Sequence, residues 1–270
     1  MAWVETHSLS FTARHDEADA AAASDLLQDM ESFRAELAEL FERTPGDIAV
    51  IIHPRAHELL LAQPWLPLAR LAASPASRRY MVGWFSRTEI HVLAPDVLAA
   101  RASPGEGSRE ALMLSPLHEY AHLVVGANNP GLPPPFNPGS FRRYLRWAWL
   151  AEGAAAQLSG QTPHLRAAVA RRLHEGGPPA FPPAARDAPL LGGTLLDMLE
   201  EESGGPRAVV ELASRLDPAG SEHAIERAFG RPLREVERDW RARLSSAGAG
   251  PRARRRRGYL YEIDTDGDAA

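Results

Sequence analysis

The spacing of apolar positions changes character along the chain, and the elements follow from it. Residues 3–13 read as a strand, after which Leu26, Leu27, Met30, Phe33, Leu37, Leu40 and Phe41 recur at helical spacing and predict a long amphipathic helix over 18–42. "DIAVIIH" at 47–53 is short, β-branched and bounded by "TPG" and Pro54, the pattern of a buried strand. "RRYMVGWF" (78–85) and "TEIHVL" (88–93) add two runs of strand character joined through Ser86 and Arg87, which suggests a hairpin. From about residue 109 the period is helical throughout, with helices expected over 109–126, 141–159, 163–174, 189–203, 206–215, 221–229 and 232–245.

This order predicts an α+β chain: a small mixed sheet with helices in an N-terminal lobe, 1–126, then an all-helical lobe, 127–245. Loops rich in Pro and Gly, "NNPGLPPPFNPGS" and "GGPPAFPPAARD", punctuate the second part. The stretch 246–270 shifts to small residues, an arginine block and an acidic end, and is expected to be a disordered tail. Its "RARRRR" reads as a solvated run, with contact to nucleic acid or an acidic membrane as the alternative. "DTDGD" lacks the remainder of a calcium loop.

Composition narrows the chemistry. The chain has no cysteine, which excludes disulfides, thiolate metal sites and cysteine nucleophiles, so any metal must sit on His, Asp or Glu. All 30 basic residues are arginine, which excludes Schiff-base chemistry and a phosphate-loop lysine. The formal charge of −5 gives no electrostatic reason to expect nucleic acid on the folded body. No window approaches the ~18 apolar residues of a membrane span and the N-terminus lacks a signal-peptide pattern, so a cytoplasmic location is the expectation.

The candidate chemistry lies in "LHEYAHLVVG", 117–126. His118 and His122 are four apart on a helix, so their rings project from one face and can share one ion. Glu119 lies about 100° around from His118, beside the ion without being its ligand, where it can take a proton from an activated water. Random ordering of this composition produces His-Glu-x-x-His roughly 3% of the time, so a third ligand decides the matter. "WLAEGAAAQLSG", 149–160, offers Glu152 on the next helix, and two imidazoles with one carboxylate are the donor set of a catalytic zinc site. Gly153 follows it directly, as a close approach between helices would require.

"HEYAH" followed by "WLAEG" resembles the gluzincin metallopeptidases, in particular the peptidase MA-like group. The resemblance covers most of the chain, from the early strand and helix through "DIAVIIHP" to "SEHAIERAFGRPLREVERDWRARL". It implies a zincin-like fold, one Zn2+ ion held by His118, His122 and Glu152, Glu119 as the general base, and a peptide or protein substrate pairing with an edge strand near Tyr80–Phe85. The sequence departs from the group in two places. "GANNPGLPPPFNPGSFRRYL" lengthens the segment between the ligands and is expected to be a loop over the cleft, and "APLLGGTLLDML" carries no tyrosine or histidine to steady an oxyanion. Tyr144, His174 and His223 are the possible substitutes, each with a structural role as the plainer reading. Ala156 stands where an aspartate would orient a ligand histidine, so that partner must come from elsewhere.

The remaining polar residues receive plain readings: His53, His57 and His91 as surface or satisfied core groups, and Asp197 with Glu200–Glu202 as a solvated face. Three functions stay open: a zinc peptidase, a catalytically weak or inactive zinc protein that binds a protein partner through its cleft or tail, and a core helix with two histidines and no metal.

Overall fold

The computed structural model describes residues 3–134 and 137–247. Strands β1 (Trp3–His7) and β2 (Phe11–Asp16) form an antiparallel hairpin with Trp3 opposite Asp16. The single strand expected over 3–13 is thus divided at Ser8-Leu9-Ser10. Glu31 holds this turn, its Oε1 accepting from Ser8 Oγ at 2.7 Å and from the Ser10 N–H at 2.5 Å, contacts that no local pattern announces.

Helix α1 (Ala20–Ala38) buries Ala23, Leu27, Met30, Phe33 and Leu37, a three-and-four spacing that lays one stripe on the core. Strand β3 (Ile48–His53) then runs parallel to β2. Three short helices follow, α2 (Ala56–Ala62), α3 (Trp65–Ala72) and α4 (Pro75–Arg78), so Arg78 of the "RRYMVGWF" run closes a helix and only Trp84–Phe85 becomes strand, β4. Strand β5 (Glu89–Leu93) pairs antiparallel with β4 and parallel with β3, giving the mixed sheet order β1-β2-β3-β5-β4. The hairpin expected around Ser86 and Arg87 is present, and β4 lies at an edge.

Register places Phe11, Ala13, Val50, Ile52, Ile90 and Val92 on one face of the sheet, all buried. Helices α5 (Pro95–Arg101), α6 (Ser108–Met113) and α7 (Ser115–Asn128) come next. Helix α7 packs on β4, β5 and α1, with Tyr120 edge-on to Phe11 and Phe33 and its hydroxyl donating to the Pro45 carbonyl at 2.7 Å. After it, every element among the described residues is a helix: α8 (Pro138–Leu158), a short 3-10 turn, α9 (Arg166–His174), α10 (Ala188–Ser203), α11 (Arg207–Ser214), α12 (Ser221–Phe229) and α13 (Leu233–Ala247). The architecture is α+β, a five-stranded mixed sheet followed by helices. One apolar core runs from Phe11 on the sheet through Trp149 to Trp240, and a smaller one of Leu59, Leu66, Val82, Leu93, Leu98 and Leu112 lies beneath α2 and α3.

Several sequence expectations are corrected. The helix expected from 141 begins at Pro138, inside the stretch also expected to be a loop, because Asn137 caps it reciprocally with Ser140 and Pro138 sits in the first turn, where its missing N–H costs nothing. Glu200 belongs to no solvated face: it is buried and accepts from Gln157 Nε2 at 2.7 Å, while Glu201 and Glu202 do reach solvent and pair with Arg243 and Arg231. Ser246 and Ala247, placed in the tail, end α13, and the rest of the expected tail, with its arginine block, lies outside the described residues.

Candidate metal centre

The site is assembled by α7 and α8. Helix α6 gives way at Leu114, and Pro116 sits in the first turn of α7 without losing a hydrogen bond, so the His118 and His122 register is set by a fresh helix. The two imidazoles meet through Nε2 atoms 3.1 Å apart. Glu152 arrives from α8 with Oε2 3.6 Å from His118 Nε2 and Oε1 3.5 Å from His122 Nε2. The three ligand atoms lie within 4.8 Å of one another, so this group could hold a metal ion. Tetrahedral coordination at zinc distances of about 2.0–2.1 Å sets donors ~3.3 Å apart. The imidazole spacing of 3.1 Å is close to that demand, and the Glu152 carboxylate spans the pair, with a different oxygen 3.6 Å from His118 Nε2 and 3.5 Å from His122 Nε2.

What holds Glu152 in place is a helix crossing. A Cβ on Gly153 would lie 2.6 Å from the backbone carbon of Gly192, and one on Gly192 would lie 2.4 Å from the Trp149 carbonyl oxygen, so α8 and α10 touch backbone to backbone. Any side chain at either position would push the helices apart and carry Glu152 with them. This is the close approach that Gly153 suggested.

Three further groups complete the site. Phe85 of β4 stacks on His122 with centroids 4.5 Å apart and planes 13° apart, which fixes that ring. Gly83, just before β4, lies against Glu119: a Cβ there would sit 2.3 Å from Oε1. Tyr144, one helical stretch ahead of Glu152, donates its hydroxyl to Oε1 at 2.5 Å. Between them Trp147 leaves helical geometry at φ −114°, ψ 15°, so α8 is bent where it passes from solvent to core. Nδ1 of His118 is buried without a hydrogen-bond partner; burial disfavours the charged ring, but the Glu152 hydrogen bond and the Glu119 and Glu152 charges, with Gln161, outweigh it and raise the His118 pKa.

Burial and charge divide the two carboxylates. Burial lifts the Glu119 carboxyl to about 8, with the His118 charge opposing and the Glu152 charge reinforcing the shift. Burial pushes Glu152 the same way, but the His122 charge and the hydrogen bonds of His118 and Tyr144 outweigh it and hold the carboxyl near about 2. His122 is pressed down to about 3, chiefly by burial, and is therefore a neutral imidazole ready to donate a lone pair. The arrangement offers the neutral His122 nitrogen, a His118 ring that its carboxylate neighbours incline to hold a proton a metal would have to displace, one anionic oxygen and an adjacent carboxyl that holds its proton near neutrality.

All four residues singled out in the sequence, His118, Glu119, His122 and Glu152, converge here. His174 and His223 do not: one is exposed at the end of α9, and the other bonds to Asp217 at 2.9 Å. Gly83 escaped the sequence reading, although a lone glycine in "MVGWF" is the mark of close backbone approach. No family model matches the chain, and no curated protein or solved structure matches it.

Proposed function

We propose that the chain is a zinc-dependent metallopeptidase with a zincin-like active site. The observation that carries this reading is the convergence of His118, His122 and Glu152, with ligand atoms within 4.8 Å of one another, and with Glu119 beside them and outside the ligand set. A zinc ion there would supply Lewis acidity, lowering the pKa of water and polarising a substrate carbonyl.

The chain's own groups supply the rest. Glu119, buried against Gly83, would in its carboxylate form accept the proton from the attacking water and return it to the leaving amine. Phe85 and the Tyr144 hydrogen bond keep His122 and Glu152 from swinging out of position. The edge position of β4 supports a substrate taken up as an extended strand along Trp84–Phe85.

A second reading, a zinc protein that binds a partner without turnover, is favoured by one observation. The phenol of Tyr144 is engaged by Glu152, and α10 carries no tyrosine or histidine to serve as an oxyanion donor in its place.

Zinc content and cleavage of a mixed peptide library, measured on the wild type and Glu119→Gln, separate the readings. The peptidase reading expects one zinc per chain in both proteins, with turnover reduced by about 10²-fold or more in the variant. A zinc-loaded wild type with no turnover on any peptide favours the binding protein. Failure to take up zinc defeats both.

A further inference from the structure

We propose that the outer face of α2 and α3 docks on an anionic lipid bilayer. On α3, Trp65, Leu68 and Leu71 are 65%, 55% and 70% exposed at three-residue spacing, and Leu61 of α2, before the break at Gln63, is 78% exposed. Scattered apolar residues on a surface need no explanation, but three large ones along one short helix form a patch. The opposite side of the same helices is also apolar, with Leu59 and Leu66 buried in the smaller core. A helix apolar on both sides is one whose outer side is covered in use.

Charge identifies the cover. From Leu59 to Thr88 the chain has no Asp or Glu and carries Arg70, Arg78, Arg79 and Arg87, in a protein whose formal charge is −5. An anionic surface repels most of this molecule and accepts it best where carboxylates are few and paired. Two come near: Glu58 in the first turn of α2, 3.8 Å from Arg55, and Glu175, which accepts from the Ala76 N–H. Exposed Arg78 donates to the Leu71 carbonyl at 3.2 Å and to the Ala73 carbonyl at 3.0 Å, so its cation stands at the end of the stripe. Trp65 lies at the other end, with the amphipathic ring suited to headgroup depth. A second copy of the chain fits less well, because a two-fold contact would set Arg78 and its neighbours against themselves. No helix among the described residues is long and apolar enough to cross a membrane, so the contact is interfacial.

Arg70 ties this surface to the candidate centre. Its Nε donates at 2.8 Å to the Met81 carbonyl, two residues before the glycine that rests on Glu119. Docking through α3 therefore bears on the edge of the site.

The test is co-sedimentation of the full chain with vesicles of phosphatidylcholine and phosphatidylglycerol in equal parts, against vesicles of phosphatidylcholine alone. Sedimentation velocity without lipid is run beside it. Binding to the anionic vesicles is expected to be at least about tenfold tighter. The pair Trp65→Ser and Leu68→Ser should weaken it about tenfold or more with the helical circular dichroism unchanged. Leu61→Ser with Leu71→Ser serves if the first pair does not fold. Trp65→Phe should bind like the wild type but lose part of the tryptophan quenching by brominated lipid. Absence of vesicle binding, equal binding to both lipids, or undiminished binding by a folded serine pair would each overturn the proposal. So would a dimer abolished by the serine pair without any vesicle binding.

Discussion

Glu119 and Glu152 are chemically alike and equally enclosed, yet burial governs one and charge governs the other. Glu152 faces two imidazoles and a phenol, all able to donate, whereas Glu119 faces the backbone of Gly83. That contrast makes Gly83→Ala an informative substitution, since the new methyl group would displace the Glu119 carboxyl while leaving the three donors alone. The variant should bind zinc like the wild type and lose about 10–10³ in peptide turnover, read from metal content and rate together. Tyr144→Phe should have the converse effect. Losing the hydrogen bond to Oε1 frees the Glu152 carboxylate, and zinc affinity by chelator competition should fall about tenfold. The pair of histidines was legible because helical spacing alone fixes their relation. Tyr144 stood out only as a possible oxyanion donor, and its bond to Glu152 was not legible because it crosses the bend at Trp147, which leaves no periodic trace.

Elements depend on crossings as much as on their own residues. The contact of α8 and α10 through Gly153 and Gly192 leaves no room for a methyl group, so Gly192→Ala should cost about 1–3 kcal/mol by urea denaturation. Because Glu152 neighbours Gly153, the same variant should also bind zinc more weakly than a surface substitution of equal stability cost. On α9, Arg172 holds Asp187 by two hydrogen bonds at 2.5 and 2.7 Å, both groups being buried. Arg172→Met should therefore cost about 3 kcal/mol by leaving a buried carboxylate with only the exposed Arg186 at 3.8 Å, and Arg172→Met with Asp187→Leu should recover most of it. Sequence periodicity located the long helices well, since each buries one stripe. It missed α2, α3 and α4 because they are short and, in α3, apolar on both sides, so no amphipathic rhythm marks them.

At the scale of the whole molecule, the sheet buries a histidine pair away from the candidate centre. His53 on β3 and His91 on β5 stack with centroids 5.4 Å apart, their Nε2 and Nδ1 atoms 3.1 Å from each other, with Glu89 3.6 Å from the far side of His91 and Trp3 edge-on to His53. Burial, with the neighbouring His91, lowers His53 from 6.5 to about 4. A folded-state value below the unfolded one means that the unfolded chain binds the proton first as the medium is acidified, so stability is complete above pH 6.5 and declines towards pH 4. The contribution is on the order of 2–3 kcal/mol, and His53→Leu should show a shallower fall in unfolding free energy between pH 7 and 5 than the wild type. The order of strands was not legible, because parallel pairing of β2 with β3 and β3 with β5 depends on crossings that local patterns do not encode.

The break in α8 has a kinetic consequence. A cation reaching Glu152 finds one oxygen already engaged by a phenol mounted beyond that break, on a stretch with more solvent than protein around it. The bond takes one lone pair of Oε1 and leaves Oε2, 3.6 Å from His118, to meet the ion, so the phenol acts on retention: a strong chelator should strip the loaded Tyr144→Phe variant faster than the wild type.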